Sequence, residues 1–224
     1  MLMVRIKLII FDMGDIIYDT SYLTEFKSRI DDLLSKNKAK NFNKRIEIWK
    51  NSSRGIKTGK KTLRSARIEF LSRLGLKDKF IIDEYESIES ACLKKIRPKY
   101  KNLRTILLEI IKTGYKTAIL SNTAYTKNDL REILTKLECV DFFDGIFSSH
   151  DTHQLKPNKK AYFNVLRFFK VEPSESVFVG HDLLEIEGAK KAGIYTISVK
   201  ENQEADMVIE DLKNLISAIR NIEN

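Results

Sequence analysis

Arg5-Ile6-Lys7-Leu8-Ile9-Ile10-Phe11-Asp12-Met13-Gly14-Asp15 is the stretch that decides the fold. A short apolar run rich in β-branched residues, stopped by an acid and a glycine, suits a buried strand of a parallel sheet. Working outward, residues 20–95 carry helical periodicity and no convincing strand. Ile30, Leu33 and Leu34 share one helix face. Leu63, Ala66, Phe70, Leu71 and Leu74 share another, with Gly75 as a stop signal.

Beyond residue 96 the pattern alternates. Leu103 to Ile111 mark an amphipathic helix closed by Gly114, and Lys116 to Ser121 a strand. Leu130 to Leu137 mark a helix, Gly145 to Ser148 a strand, Ala161 to Phe169 a helix and Ser176 to Gly180 a strand. A helix through Gly188 to Ala192, strands at Ile194–Val199 and Asp206–Ile209, and a terminal helix from Leu212 complete the order. Alternation of this kind predicts an α/β fold: a doubly wound, Rossmann-like parallel sheet interrupted by an all-helical insert. The expected division is a core of residues 1–19 and 96–224 and an insert of residues 20–95.

Composition limits the classes of function. The 224 residues are 42% hydrophobic and 32% charged, with nine Gly and three Pro, which leaves no room for a long linker. Cys92 and Cys139, the only cysteines, lie far apart, which argues against a disulfide framework and fits a reducing, cytoplasmic setting. No signal peptide or membrane span is visible, because the apolar run Leu8–Phe11 is cut by Lys7 and Asp12. The net charge of +9 resides in the insert, where 19 Lys and Arg face 10 Asp and Glu; the rest of the chain is balanced. Either this excess draws an anionic ligand or it is a lysine-rich solvated surface. Nucleic acid is not the expected partner, since no basic motif interleaved with aromatic residues accompanies the charge. The oligomeric state is left open.

In doubly wound sheets ligands bind beyond the carboxyl ends of the strands. Four such ends carry reactive groups: Asp12-Met13-Gly14-Asp15, Ser121-Asn122, the loop containing Lys156-Pro157, and Gly180-His181-Asp182 with Glu185. Together they suit displacement at an anionic centre. Asp12 can attack a phosphoryl group. The amides of Met13 and Gly14, with Ser121 and Asn122, can hold its oxygens. Lys156 can neutralise developing charge, and the acidic cluster can hold Mg2+.

This set of motifs resembles the haloacid dehalogenase superfamily. Phe11 to Asp15 resembles its first motif in the branch with Gly two residues after the nucleophile, and Leu120-Ser121-Asn122-Thr123 resembles the second. Lys156-Pro157 with Tyr162 resembles the third, and Val179 to Glu185 with Gly188-Ala189 and Ala192-Gly193 the fourth. The resemblance implies that residues 20–95 form a substrate-selecting helical cap. It also implies a Mg2+-dependent phosphatase acting on a small phosphorylated metabolite through an aspartyl-phosphate on Asp12. The cap turn Ser53 to Gly59 puts Arg54 and Lys57 forward as substrate contacts.

Two positions depart from the family pattern. Gly14 stands where phosphatases carry their acid/base Asp, leaving Asp15, one residue on, as the candidate. His181 stands where the main metal-binding Asp is usual. Three outcomes are open. Asp182 and Glu185 could supply the acidic side of a Mg2+ site with Asp12 and Gly14 opposite, His181 could recruit a softer ion such as Mn2+ or Zn2+, or metal binding has been lost. The rival activities are a metal-free 2-haloacid dehalogenase and a binding protein that has lost turnover.

Overall fold

The computed structural model describes residues 5–200 and 204–223. Six parallel strands, β1 (Leu8–Phe11), β2 (Lys116–Ser121), β3 (Gly145–Ser148), β4 (Ser176–Gly180), β5 (Tyr195–Val199) and β6 (Met207–Ile209), form one sheet in the order β3-β2-β1-β4-β5-β6. The order reverses direction at β1, so the crevice of this doubly wound sheet opens at the C-terminal end of β1.

The pleat decides what covers each face. Ile9 and Phe11 point to one side, where they meet Leu103, Ile106, Leu107 and Ile110 of α5 (Leu103–Lys112), Leu130 and Leu134 of α6 (Lys127–Lys136) and Leu215 and Ile219 of α10 (Leu215–Glu223). Leu8 and Ile10 point to the other, against Tyr162, Val165 and Leu166 of α8 (Lys159–Phe169) and Ile186 and Ala189 of α9 (Leu183–Lys191). All four β1 side chains are fully buried, and each contributes roughly 1.5–3 kcal/mol by leaving water. A central strand buried on both faces explains its uninterrupted apolar run.

Between β1 and α5 lie α1 (Tyr22–Lys36), α2 (Arg45–Ser52), α3 (Leu63–Arg73) and α4 (Lys79–Leu93). These helices have a core of their own, built on Ile30, Leu34, Phe70, Leu71, Tyr85 and Ile88. Trp49 packs edge-on against Phe70 at 5.3 Å, and Phe26 against Tyr85 at 5.8 Å. Two antiparallel segments tie the insert to the sheet: Asp19 N donates to Arg97 O (3.0 Å) and Lys99 N to Ile17 O (2.9 Å).

Several boundaries differ from expectation. The first strand is Leu8–Phe11, shorter than residues 5–11. Asp206 lies outside the last strand because its carboxylate accepts from the main chain and hydroxyl of Thr196, which replaces a ladder bond. The terminal helix opens as a 3-10 turn over Leu212–Asn214. A short helix not expected from the sequence, α7 (Ser149–Thr152), follows β3. Among the described residues no helix is long and apolar enough to cross a membrane.

Candidate active site

Asp12 follows β1 directly, and its amide donates to Val179 O at 2.9 Å, so the carboxylate emerges from the middle of the sheet at a fixed place. It lies at the floor of a cleft of about 460 Å³ that is also lined by Gly14, Asp15, Ser121, Asn122, Lys156, His181, Asp182 and Glu185. All the residues put forward for catalysis, substrate and metal, except Met13 and Arg54, therefore share one cleft. The ammonium of Lys156 is fully buried, 2.6 Å from Asp12 Oδ1 and 2.6 Å from Glu185 Oε2. Burial pulls the Lys156 pKa down, but the Asp12 and Glu185 carboxylates outweigh it and hold the amine protonated. Glu185 is pushed up by burial, partly offset by Lys156 and reinforced by Asp12 and Asp182.

The placement of Lys156 is overdetermined. Asn122 accepts from Lys156 N at 2.9 Å and donates to Lys156 O at 2.9 Å, and its Nδ2 reaches Glu185 Oε1 at 3.1 Å. Asn122, expected to bind substrate, thus spends its amide on holding the lysine loop and Glu185. The Tyr162 hydroxyl donates to Glu185 O at 2.6 Å. Gly188 presses α9 onto Pro157 so closely that a Cβ there would stand 2.6 Å from Pro157 O. These contacts explain why Gly188 and Tyr162, with no chemistry of their own, belong to the motif set.

Asp15 does not fit the proton-donor role expected of it. Its backbone is left-handed (φ 55°), and its carboxylate receives Lys99 Nζ at 2.7 Å and the Thr20 hydroxyl. Burial raises its pKa, but the hydrogen bonds from Lys99 and Thr20 more than offset this and hold the carboxyl below its usual range. A group with a lowered folded-state pKa adds stability that is present above its unfolded value and lost as pH falls through the folded one. Asp15→Asn keeps the shape and tolerates the backbone. It is expected to lower stability at pH 7 by about 0.5 kcal/mol, as for a half-exposed ion pair. The difference should vanish at acid pH where the carboxyl is protonated in both states, as denaturant midpoints at the two pH values would register. A proton donor would instead show a turnover loss of about 10²–10⁴.

Two further candidates, Arg54 and Met13, do not line the cleft with their side chains. Arg54 is exposed and lies against Asn51 Oδ1 at 3.3 Å, outside the cleft lining. Lys57, three residues on, is the insert's cation at the cleft. Its turn is pinned to the sheet body by His153 Nδ1 on Thr58 O at 2.7 Å and by the close approach of Gly59 to His150 O. The side chain of Met13 is fully buried in the core, so Met13 can offer the cleft only its main chain. Lys99, Thr20 and Tyr18 were not foreseen as site residues; they are brought in by the two segments that join the insert to the sheet, which no local spacing reveals.

The expected metal site is not assembled. Mg2+ demands an octahedral shell of oxygens, yet among the described residues no three His, Cys, Asp or Glu side chains are grouped to hold a metal ion. Both Glu185 oxygens face Lys156 and Asn122. Asp182 is exposed and caps α9 by accepting from Glu185 N at 3.1 Å. Asp12 Oδ1 is taken by Lys156, and the side chain facing Oδ2 is the His181 imidazole, with Nε2 at 3.7 Å. The donors present do not fit the ion.

With fold and cleft in place, the chain can be set beside known proteins. The haloacid dehalogenase-like hydrolase family matches residues 9–199, and this chain belongs to that family. It is 29% identical over 219 residues to the glyceraldehyde 3-phosphate phosphatase of Pyrococcus furiosus, covering 92% of this chain and 85% of that protein. It is 27% identical over 126 residues to the phosphoglycolate phosphatase of Pseudomonas syringae, covering 52% of this chain and 46% of that one. Among solved structures, the 2-haloacid dehalogenase of Pseudomonas syringae superposes with a TM-score of 0.76 at 20% identity, covering 97% and 99% of the two chains. A phosphatase of the family from Thermococcus onnurineus gives 0.70 at 23% identity, covering 96% and 98%. At these identities the structures speak to the fold alone. The chain is a hydrolase, and the two curated relatives named above are phosphatases.

Proposed function

We propose that the chain hydrolyses the monoester of a small phosphorylated metabolite through an aspartyl-phosphate on Asp12, with the helical insert acting as a cap. The observation that carries this reading is the Asp12 carboxylate, emerging at the crevice with one oxygen held by a buried ammonium at 2.6 Å. Its other oxygen faces a cleft lined mainly by polar groups. Asp12 Oδ2 attacks phosphorus, the Oδ2–P bond forms and the bond from phosphorus to the ester oxygen breaks. Water then attacks the acyl-phosphate at phosphorus, inorganic phosphate leaves and the carboxylate is restored. Lys156 stays protonated throughout, holds Asp12 in its attacking rotamer and offsets the charge gathering at the phosphoryl group. Ser121 and the main chain at Gly14 border the phosphoryl position, and Lys57 stands over the rest of the substrate from the insert. Free, buried thiols at Cys92 and Cys139 suit a cytoplasmic enzyme.

No side-chain acid is aligned for the leaving oxygen, because Gly14 has none to give and Asp15 is locked as a carboxylate. The departing alkoxide must take its proton from water in the open cleft. Turnover is therefore expected to depend steeply on the leaving group, with aryl phosphates faster than alkyl phosphates by about 10²-fold, the usual worth of a positioned acid. Phosphate release from matched aryl and alkyl esters measures this. Halide release from a 2-haloacid, with no phosphate released from any ester, would overturn the reading in favour of the dehalogenase chemistry.

A further inference from the structure

The mismatch between the Asp12 surroundings and a divalent ion has a consequence for catalysis. We propose that the His181 imidazole, not a metal ion, is the electrophilic partner of Asp12: its Nε2–H donates to a phosphoryl oxygen, and the site works without a divalent cation. The inference rests on the phosphatase reading above and specifies how that site handles charge.

The geometry is specific. Lys156 occupies Asp12 Oδ1, which leaves Oδ2 as the attacking oxygen. His181 Nε2 lies 3.7 Å from that oxygen. The gap is too long for a direct hydrogen bond and suits a bridging group. A phosphoryl group approached by Oδ2 would present an oxygen within hydrogen-bond reach, about 2.9 Å, of Nε2. His181 is 41% exposed at the side chain, so it lies on the wall open to substrate and not in the packed floor.

Around it, the groups that would otherwise build an oxygen cage are committed elsewhere: Glu185 to Lys156 and Asn122, Asp182 to the first turn of α9. Three lysines also offset most of the charge of the four carboxylates around the cleft, Asp12, Asp15, Asp182 and Glu185, without a divalent ion. The carboxylates of Asp12 and Glu185 share Lys156, Asp15 pairs with Lys99, and Lys57 adds a further cation at the rim. A site so arranged spends hydrogen-bond donors where a hard-ion site spends oxygens.

The test uses the full chain freed of metal with EDTA. Aryl phosphate turnover is expected to be the same in EDTA as with added Mg2+, and calorimetric titration with Mg2+ should give no heat of binding. Inorganic phosphate, titrated in EDTA, should bind about tenfold or more weakly to His181→Ala, the worth of one hydrogen bond to a charged group. His181→Gln, which keeps an N–H donor, should recover part of that loss. His181→Asp should lose turnover in EDTA and regain it with Mg2+, because a carboxylate then stands opposite Asp12 Oδ2 in place of the imidazole. Thermal melts establish that each variant folds. Wild-type turnover abolished by EDTA and restored by Mg2+, or Mg2+ binding to the wild type that disappears in Asp12→Asn, overturns the inference. Absence of ester turnover under every condition, with metal-free and His181-dependent phosphate binding intact, would instead sink the phosphatase reading and leave His181 as a phosphate contact only.

Discussion

Asp12→Asn is expected to abolish turnover, with kcat reduced by on the order of 10⁴ or more, as when the nucleophile of a covalent mechanism is removed. Asn has the same shape and no attacking oxygen. The substitution is informative because it leaves the fold intact. Lys156 keeps Glu185 at 2.6 Å, so its charge is not stranded when Asp12 loses its own. Asp12 also raises the Glu185 pKa, and that push disappears. The melting temperature should therefore move little while the acyl-phosphate, detectable by acid quench and mass spectrometry in the wild type, disappears. Retained turnover in Asp12→Asn would remove Asp12 as the nucleophile, and the proposed mechanism with it.

What the sequence made legible follows from which interactions are local. β1 could be read because a strand buried on both faces has no choice but to be apolar throughout. The helices α5 and α8 could be read because each buries one stripe, Leu103, Ile106, Leu107 and Ile110 in one case and Ala161, Tyr162, Val165 and Leu166 in the other. The same held for α3, whose buried Ala66, Phe70 and Leu71 recur at helical spacing. By contrast α2 reads Arg-Ile-Glu-Ile-Trp-Lys-Asn-Ser, alternating like a strand, and buries only Ser52 completely. Its helical state is set by packing on α3, a tertiary cause. The site divides in the same way. Residues at strand ends were found, because the sheet itself gathers them. Lys99 was missed since it reaches Asp15 across 84 residues of chain, and the hold of Asn122 on Lys156 and Glu185 was missed since those partners lie on other elements. Arg54 and Lys57 shared a turn, and only the pinning of that turn by His153 decides which one faces the cleft.

Lys156→Met should do two separable things. Activity should fall by about 10²–10³, the usual cost of removing a preorganised charge from beside the reacting centre. Stability at pH 7 should fall by about 3–5 kcal/mol, because the variant leaves the neighbouring Asp12 and Glu185 carboxylates without their shared cation. The pH dependence fixes the cause. In the wild type the raised Lys156 pKa gives stability that is complete below the ordinary lysine value and lost only as pH climbs through the folded one, so it is fully present at neutrality. In the variant, burial and Asp12 act on Glu185 with nothing to offset them, so its folded pKa rises further. A carboxyl raised in the folded state stabilises below its unfolded pKa and penalises the fold as pH rises towards the folded value. The gap between wild type and variant should therefore narrow as pH falls from 7 towards 4. Adding Glu185→Gln to Lys156→Met should recover part of the loss, since one of the two carboxylates left without a cation is then neutral while Asp12 keeps its charge. Stability partly restored in that double variant while turnover stays low would place the catalytic need for Lys156 in its charge, apart from its part in holding the fold. A Lys156→Met protein that melts like the wild type at pH 7 would show that the carboxylates do not depend on the ammonium.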